Sequence, residues 1–446
     1  MNRGGETEDP GYRGPGGFFP VPYSPAIFNF HWFNFYNAIC FQIILGAPIV
    51  LLAKDLGANS TTLGIIEAFT PLMTTLQLPA ARHLGKHSYR SFALMGWGLR
   101  SVFIATSAIV PLLLCYSKEV RLGFLLASLF FFNAIRGISS AAFLPWITSI
   151  VPATMRGRYI GVDHSFIYGG SLVTMLIASL LMRGHIEPWR YSVVLWLSVT
   201  GAVVSLLYLR LIPDAKHSDA AANSSERVPI LKMLALPPFR NSILFSLLFA
   251  TVTGGLSVFP VEYLRMQAHF SPSLIFALSA ATFFAPLLIL QTLGGMVDMM
   301  GSIAVIRGAV LLFAVVLATW FSMSAGLIHP GWGIVLFLNL TGGVGLAAFN
   351  LANLHLGMSV VPDTGKNHYF ALTTVITSLG LGLVPIIWGW ILDLLGGLDL
   401  LIGPFHLRRH SIYFLGICLL SLAALVMSRI LIQPGRGGGR AEGLKN

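Results

Sequence analysis

The amino-acid sequence predicts an all-α polytopic membrane protein with twelve transmembrane helices, arranged as two parallel six-helix repeats. Three observations lead to this fold class. Hydrophobic residues make up 55% of the chain and charged residues only 10%, whereas soluble domains average about 25% charged residues. The apolar residues form runs of about 20, the length of a helix that crosses a bilayer. A short polar sequence also recurs after about half the length of the chain, which indicates an internal duplication.

The apolar runs are too long for the strands of a transmembrane β-barrel, which are alternating segments of about 10 residues. The predicted spans are residues 27–53, 62–82, 91–115, 122–148, 159–182, 190–212, 241–264, 272–296, 303–325, 332–356, 368–393 and 411–432. They divide the chain into a disordered N-terminal tail (1–26), an N-terminal six-helix bundle (27–212), a linker (213–240), a C-terminal six-helix bundle (241–432) and a C-terminal tail (433–446).

The duplicated sequence is a polar bridge between two apolar runs. Residues 149–159 read SIVPATMRGRY and residues 359–369 read SVVPDTGKNHY, and a second match lies upstream of each copy. An even number of spans separates the two bridges, so both lie on one membrane side and the halves are parallel. The distance from this upstream match to the bridge is four residues longer in the second copy than in the first. Four residues are about one helical turn, so the tenth helix is predicted to be one turn longer than the fourth. Pro145 is predicted to shorten or bend the fourth helix.

The distribution of basic residues predicts the orientation. If the N-terminus is cytoplasmic, 18 of the 28 Lys and Arg residues lie on the cytoplasmic side, 8 lie on the opposite side, and Arg100 and Arg136 lie inside helices. The positive-inside rule therefore places both tails and the linker in the cytoplasm, with the chain in the cell membrane. The net charge of +11 is then explained by contact with anionic lipid headgroups, and no nucleic-acid partner is expected.

Together the spans, the parallel halves, the basic linker and the bridges resemble the major facilitator superfamily of secondary transporters, over about residues 27–432. In that family the bridge after the second span, repeated after the eighth, resembles Gly-x-x-x-Asp-Arg-x-Gly-Arg-Lys. Gly294, Asp298 and Gly301 match the second copy, whereas the first keeps Gly85 but has Arg82 in place of the acid. The resemblance implies alternating access by a functional monomer. The candidate gating residues in the bridges are Arg82, Gly85, Asp298, Gly301, Arg156, Arg158 and Lys366.

Two arginines inside predicted spans are the most unusual polar residues. Arg136 lies near the middle of the fourth span, and its partner in the repeat is Gly342, so the repeat itself does not require a cation there. An ionisable group in hydrocarbon usually faces a cavity or a partner. Arg136 therefore has two possible roles. It is a cavity cation that binds an anionic substrate group or pairs with a proton-carrying acid, or it is a member of a structural ion pair. For Arg100 a structural role is favoured, with its long stem reaching the cytoplasmic headgroups.

Further candidates come from polar residues on other helices. In the first helix, Asn37 and Gln42 share a polar face, and the resemblance implies that the first, fourth, seventh and tenth helices line a central cavity. The substrate-binding candidates are Arg136, Asn37, Gln42, Asn350, Asn353 and, more weakly, Gln291. The candidates for ion coupling are Glu67, Asp163 and His164. The alternative for Glu67 is a carboxylate at a wet helix entrance, and the alternative for the other two is capping or gating. Glu262 and Asp393 end their spans and are expected to be interfacial.

No enzyme is predicted. The chain lacks a Gly-x-x-x-x-Gly-Lys-Ser/Thr phosphate loop, and its intramembrane polar residues are scattered over many helices. Cys40, Cys115 and Cys418 lie in or at the edge of apolar runs and are expected to be core residues without disulfides. No cofactor or metal is expected, and the expected partners are a small-molecule substrate, membrane lipids and, as a subsidiary hypothesis, protons. The alternative function is a transporter-like membrane sensor or scaffold without transport activity.

Overall fold

The structure is a computed structural model, and it describes residues 24–81, 88–151, 156–214, 229–362 and 366–432. The first half contains nine helices in these ranges. They are α1 (Pro25–Ile44), α2 (Ala47–Asp55), α3 (Ser60–Thr74), α4 (Gln77–Ala81), α5 (Tyr89–Ile109), α6 (Lys118–Ser139), α7 (Phe143–Ile150), α8 (Arg156–Leu181) and α9 (Pro188–Leu211). Short 3-10 turns at Val110–Leu112 and Ser140–Ala142 extend α5 and join α6 to α7.

The second half follows a short helix in the predicted linker. Its described helices are α10 (Ile230–Ala235), α11 (Pro237–Thr253), α12 (Phe259–Met266), α13 (Pro272–Met300), α14 (Ser302–Ser324), α15 (Trp332–Val360), α16 (Lys366–Leu394) and α17 (Arg409–Met427), the last followed by a 3-10 turn at Ser428–Ile430. A hairpin that the sequence did not predict, β1 (Asp399–Ile402) and β2 (Phe405–Arg408), joins α16 to α17 in antiparallel register.

Ten helical segments in the described ranges are long and apolar enough to cross a membrane. The second and seventh predicted spans are not among them, because each is divided into two short helices, α3 with α4 and α11 with α12. Ten long segments and two divided ones are consistent with twelve crossings. The chain is therefore a multi-pass membrane protein of the predicted fold class, while the exact boundaries of the two bundles stay a prediction.

Proline explains the bend in the fourth span. Pro145 has no N–H to bond the Ala141 carbonyl, and the 3-10 turn at Ser140–Ala142 lies just before it, as the sequence predicted. The tenth helix is longer where the repeat predicts it, since α15 ends at Val360, 21 positions after Asn339, whereas α7 ends at Ile150, 17 positions after Asn133. The whole fourth span is nevertheless longer, with 33 residues against 29, because Ser117 caps α6 early. Cys115 is exposed rather than in the core.

The halves pack against each other along two helix pairs, α3 with α16 and α8 with α13. Glycine allows the first pair to come close. A Cβ added to Gly64 would lie 2.2 Å from the Pro385 carbonyl oxygen, and one added to Gly389 would lie 2.4 Å from the Ser60 carbonyl oxygen. The two backbones therefore touch directly, as small residues permit between membrane helices.

The bundle has two ends. We call the end at which the described chain starts and stops, near Ser24 and Ile432, the tail end, and the end where α2 finishes and α3 begins the distal end. Polar contacts tie helix termini at the tail end of each half. The Arg90 amide donates to the Asp214 carboxylate at 3.3 Å, and the Asn241 side chain donates to the Ile430 carbonyl at 2.9 Å.

Candidate functional site

A cavity of about 500 Å³ lies between the halves, a size typical of small-molecule sites. Most of its wall is apolar and aromatic. On the first-half side it is formed by residues from the end of α1 and the start of α2 and by Glu67 of α3, and on the second-half side by α11 to α15 and the segment between α11 and α12. The polar residues that line it are Gln42, Glu67, Thr253, Ser257, Ser279, Thr282 and Asn339.

Glu67 is the only acidic residue among those that line this cavity. It is half-buried on α3, and the Ser257 side chain of the opposite half lies near its carboxyl group. Ser257 lies where α11 gives way to α12, and Gly255 in this segment has a φ of 91°, a conformation that glycine adopts without strain. The helix break thus places a polar residue of the seventh span beside the acid.

A buried carboxylate closes the distal end between the halves. The Glu262 side chain on α12 is fully buried and accepts from the Lys54 ammonium at 2.9 Å, from the Ser60 hydroxyl at 2.9 Å and from the Arg409 guanidinium at 3.1 Å. The His410 ring lies 3.6 Å away on the other carboxylate oxygen. Lys54 and Ser60 belong to the first half and the other groups to the second, so this charge cluster joins the halves. Glu262 is thus enclosed by protein partners at the end of its span, and its depth relative to the membrane stays a prediction.

A second carboxylate caps a helix of the opposite half. Asp393 near the end of α16 accepts from the Ser60 amide at 2.9 Å, the Thr61 amide at 2.8 Å and the Thr61 hydroxyl at 2.6 Å. Asn59 caps the next free amide of α3, that of Thr62. An acidic group at a helix N-terminus is favoured by the free amides and by the helix dipole. Asp393 is therefore a contact between the halves and not simply an interfacial residue.

The hydrogen bonds and ion pairs at the two ends differ in which half supplies each partner. At the distal end, Ser179 and Ser273 of opposite halves exchange bonds, with hydroxyl oxygens 3.2 Å apart. At the tail end, Asp163 accepts from Asn34 of the same half at 2.8 Å, and Arg307 donates to Ser428 of the same half. The tail-end hydrogen bonds whose two partners are both described each stay within one half. Among these described contacts, those that join the halves lie at the distal end.

Arg100 and Arg136 lie in the interior of the first half. Arg100 is fully buried, and its guanidinium donates to the Asn37 side-chain oxygen at 2.5 Å. The prediction that Arg100 reaches the cytoplasmic headgroups was therefore wrong. Arg136 donates to the Thr70 carbonyl at 2.9 Å and to the Thr74 hydroxyl at 3.3 Å. Neither arginine forms an ion pair with a carboxylate of the described residues.

The structure separates the predicted substrate-binding residues. Gln42 lines the cavity, whereas Asn37 is buried against Arg100 and Trp97. Asn353 accepts from Ser246 within the second half, and Asn350 is exposed. Of these residues and Arg136, only Gln42 is part of the cavity wall, and a role in substrate binding stays a prediction for each. The side chain of Gln291 lies outside the described part of the structure.

The coupling candidates are likewise separated. Glu67 lines the cavity, whereas Asp163 is bound by His31 and Asn34 near the tail end. His164 is exposed and contacts the Ile160 carbonyl on its own helix.

Several gating candidates fall outside the description. Arg82 and Gly85 lie outside the described residues, and the same holds for the side chains of Arg156, Arg158 and Lys366, whose backbones begin α8 and α16. Asp298 is exposed on the last turn of α13, and Gly301, with φ 86°, joins α13 to α14. Gating by these residues stays a prediction.

No contact between the halves was predicted from the sequence for Glu262, Asp393 or Ser257. Their partners in the first half are 190 or more positions away along the chain, as with Lys54 and Glu262 at a separation of 208. The one available signal was the presence of an acid at the end of each of two spans on the same predicted side.

Comparisons with known proteins agree with this architecture. The model of the Major Facilitator Superfamily matches residues 31–280. An uncharacterized MFS-type transporter of Methanocaldococcus jannaschii is 23% identical over 370 residues, which cover 78% of this chain and 87% of the relative. A crystal structure of a POT family transporter in complex with a thioalcohol-conjugated peptide has a TM-score of 0.69 at 14% identity, over 93% of this chain and 96% of that one. A D-xylose-proton symporter has a TM-score of 0.68 at 14% identity, over 92% and 97%. The two structures share the fold, and since the family match covers more than half of the sequence, this chain belongs to the Major Facilitator Superfamily.

Proposed function

We propose that the protein is a secondary transporter that moves a small solute through the central cavity by alternating access, as a monomer in the cell membrane with both termini cytoplasmic. One observation carries this proposal. A cavity of about 500 Å³ lies between two halves whose described polar contacts to each other are concentrated at and beside one end. Such an arrangement closes one route to the cavity by contacts that a rocking motion of the halves can break.

Opening of the distal end separates three sets of groups. Lys54 leaves Glu262, the α3 amides leave Asp393, and Ser179 leaves Ser273. The charged groups then gain water in place of one another, so the two states are able to differ by only a small free energy, as a transport cycle requires. The break between α11 and α12 gives the seventh span a place at which its distal part turns.

We assign proton coupling, as a subsidiary part of the proposal, to Glu67. Its carboxyl group lies in the cavity wall and meets Ser257 across the boundary of the halves, so its charge affects both the solute and the contact between the halves. In proteoliposomes, Glu67→Gln is expected to retain solute exchange and lose accumulation driven by a pH gradient. Accumulation at the normal level in this variant would exclude Glu67 as the coupling group.

A disulfide across the distal end tests alternating access directly. In a background without Cys40, Cys115 and Cys418, Ser179→Cys with Ser273→Cys places two thiols where the hydroxyl oxygens are 3.2 Å apart, which suits a disulfide. Oxidation is expected to abolish uptake, and reduction to restore it.

The matched control is a disulfide within one half. Thr106 and Ser128 lie on α5 and α6 with hydroxyl oxygens 3.0 Å apart, and Thr106→Cys with Ser128→Cys is expected to leave uptake intact after oxidation. Equal uptake by the oxidised distal pair would contradict alternating access. Solute binding without uptake or exchange, across a broad panel of solutes, would indicate instead the sensor or scaffold function.

A further inference from the structure

Two arginines of the first half, Arg100 and Arg136, converge on one aromatic ring. The guanidinium carbon of Arg100 lies 4.9 Å from the centre of the Phe41 ring, and that of Arg136 lies 5.7 Å from the same centre. Arg100 also stacks on Trp97 at 4.4 Å. Phe41 itself lines the central cavity, and Arg136 is half-buried. Neither arginine lines the cavity itself, so both are connected to its first-half wall through the Phe41 ring.

Most of the donors of this pair have no acceptor. Each guanidinium carries five N–H groups. Within the described residues, Arg100 reaches Asn37 with Nη2, and its Nε and Nη1 have no hydrogen-bond partner. Arg136 reaches Thr70 and Thr74 with Nη2, and its Nε has none. Three buried nitrogens of the two side chains that meet the Phe41 ring are thus left with protons to donate.

The charge of the pair is also uncompensated. The intramembrane acids of the first half in the described ranges are Glu67 and Asp163, and neither forms an ion pair with Arg100 or Arg136. Asp163 is bound by His31 and Asn34, and Glu67 meets Ser257 across the cavity. Two like charges near one ring, without a carboxylate, are unfavourable in a membrane interior. Aromatic faces offset only part of this, since a cation–π contact is worth about 2 kcal/mol when desolvated.

The hydrogen bonds that these arginines do make have no need of a positive charge. An amide oxygen, a carbonyl and a hydroxyl would be satisfied equally by a neutral donor such as glutamine. Nor does the repeat require a cation, since the counterpart of Arg136 is Gly342. What two guanidinium groups add, and neutral donors do not, is affinity for an anion.

We propose that Arg100 and Arg136 together bind the anionic group of the transported solute, and that this group is a carboxylate of a small organic acid. The inference rests on the proposed transport function and specifies its substrate class. A carboxylate brings one negative charge and two oxygens that accept several hydrogen bonds, which matches the free donors of Arg100 and Arg136. The rest of the solute lies in the apolar and aromatic cavity, on the Phe41 side.

Thermal unfolding of the purified full-length protein tests the site without knowledge of the natural solute. The probes are sodium acetate and sodium benzoate, compared with acetamide and benzamide at equal ionic strength set by sodium chloride. Acetate or benzoate is expected to raise the Tm relative to its amide, because a ligand that binds the folded state stabilises it. Arg100→Gln and Arg136→Gln are each expected to weaken the apparent affinity about tenfold or more, and Arg136→Lys less.

The control is Arg121→Gln. Arg121 is buried on α6, the helix that carries Arg136, but its guanidinium reaches the Pro111 carbonyl and neither of the two arginines. This variant is expected to respond to the carboxylates as the wild type does. Because Arg136→Gln and Arg100→Gln are separate changes on different helices, failure of one to fold leaves the other as a test.

Two results would overturn the anion site. One is the absence of a rise in Tm with acetate or benzoate relative to the amides. A rise that is equal in the wild type and in the two Gln variants counts in the same way, because it reports only a general effect of salt. The other is a neutral solute that binds in the cavity and is unaffected by both changes. Counterflow in proteoliposomes tests the transport function separately. A carboxylate that binds through both arginines but does not cross would contradict transport and leave the site in place.

Discussion

The distal and tail ends of the bundle use the same kinds of polar contact in opposite ways. At the distal end Glu262 and Asp393 of the second half bind Lys54, Ser60 and Thr61 of the first half. At the tail end the described contacts remain inside one half, as with His355 and Ser302. The tail-end contacts therefore hold each half together, whereas the distal contacts hold the halves to each other.

This difference shows which contacts are broken when the two halves move relative to each other. A rigid rotation of one half against the other leaves every described tail-end hydrogen bond intact. It breaks the bonds that the fully buried Glu262 and the half-buried Asp393 make to the first half. The free energy that holds the distal end closed thus comes from a few identifiable contacts, and each can be removed by mutation.

The tests below share one readout. Leu264 lines the cavity on α12 and is 3% exposed with the distal end closed. In a background without native cysteines, the labelling rate of Leu264→Cys by a membrane-impermeant reagent added from the distal side reports distal opening. Tm reports the stability of the fold.

The largest effect is expected for Glu262→Gln. The change leaves Lys54 and Arg409 largely buried without their carboxylate, and such a loss costs about 3 kcal/mol or more. Distal labelling should become faster and Tm should fall. Glu119→Gln, at an exposed acid of α6, is the control and should change neither. Unchanged labelling in Glu262→Gln would show that this cluster does not hold the distal end closed.

A smaller effect is expected for Gly64→Ala. The new methyl group would meet the Pro385 carbonyl oxygen at 2.2 Å, so α3 and α16 must move apart at a cost of about 2 kcal/mol. Labelling should again become faster. Gly357→Ala is the control, because an added Cβ at this helical glycine has no neighbour within 4 Å. Equal labelling of the two variants would argue against close packing of α3 and α16 as part of closure.

Asp393→Asn is expected to weaken closure by about 1 kcal/mol. The amide oxygen still accepts from α3, but the negative charge at its N-terminus is lost. Labelling should increase modestly, with little change in Tm. Glu187→Gln serves as the control, because this exposed residue precedes α9 without a side-chain capping bond. A rate equal to that of wild type would indicate that the cap is not coupled to opening.

The smallest effect on labelling is expected at the tail end. Asp163→Asn removes the charge that His31 and Asn34 share within the first half, which should lower stability by about 1 kcal/mol. Distal labelling should not change, because no contact between the halves is lost. Faster distal labelling in this variant would contradict the separation between the two ends.

Local pattern predicted much of the fold because each span is specified by its own residues. Apolar length gave the spans, and Pro145 gave the bend of the fourth helix. The comparison of the fourth and tenth helices was confirmed only at the bridges, since the length of a whole span also depends on where caps such as Ser117 begin a helix. The hairpin at Asp399–Arg408 was missed because its two strands are only four residues each.

The site was harder to predict because it depends on pairs. Gln42 and Glu67 lie in the cavity wall, where the polar face of the first helix and an intramembrane acid gave a local signal. Asn37 was chosen on the same signal, yet Arg100 occupies its oxygen. Arg100 was assigned to the headgroups from its position along the span. The structure turns it inward to Asn37 and Phe41, a direction that no property of the third span encodes.

By itself the sequence determined the solvent, the number and approximate position of the spans, and the parallel duplication, because these follow from hydropathy and repetition along the chain. The tertiary structure alone decided that acids at the ends of two spans latch the halves together and that two arginines share one aromatic ring. Those features depend on contacts between helices that are far apart in the sequence. The free energy of a buried charge depends on the partners that surround it, and these are known only from the folded structure.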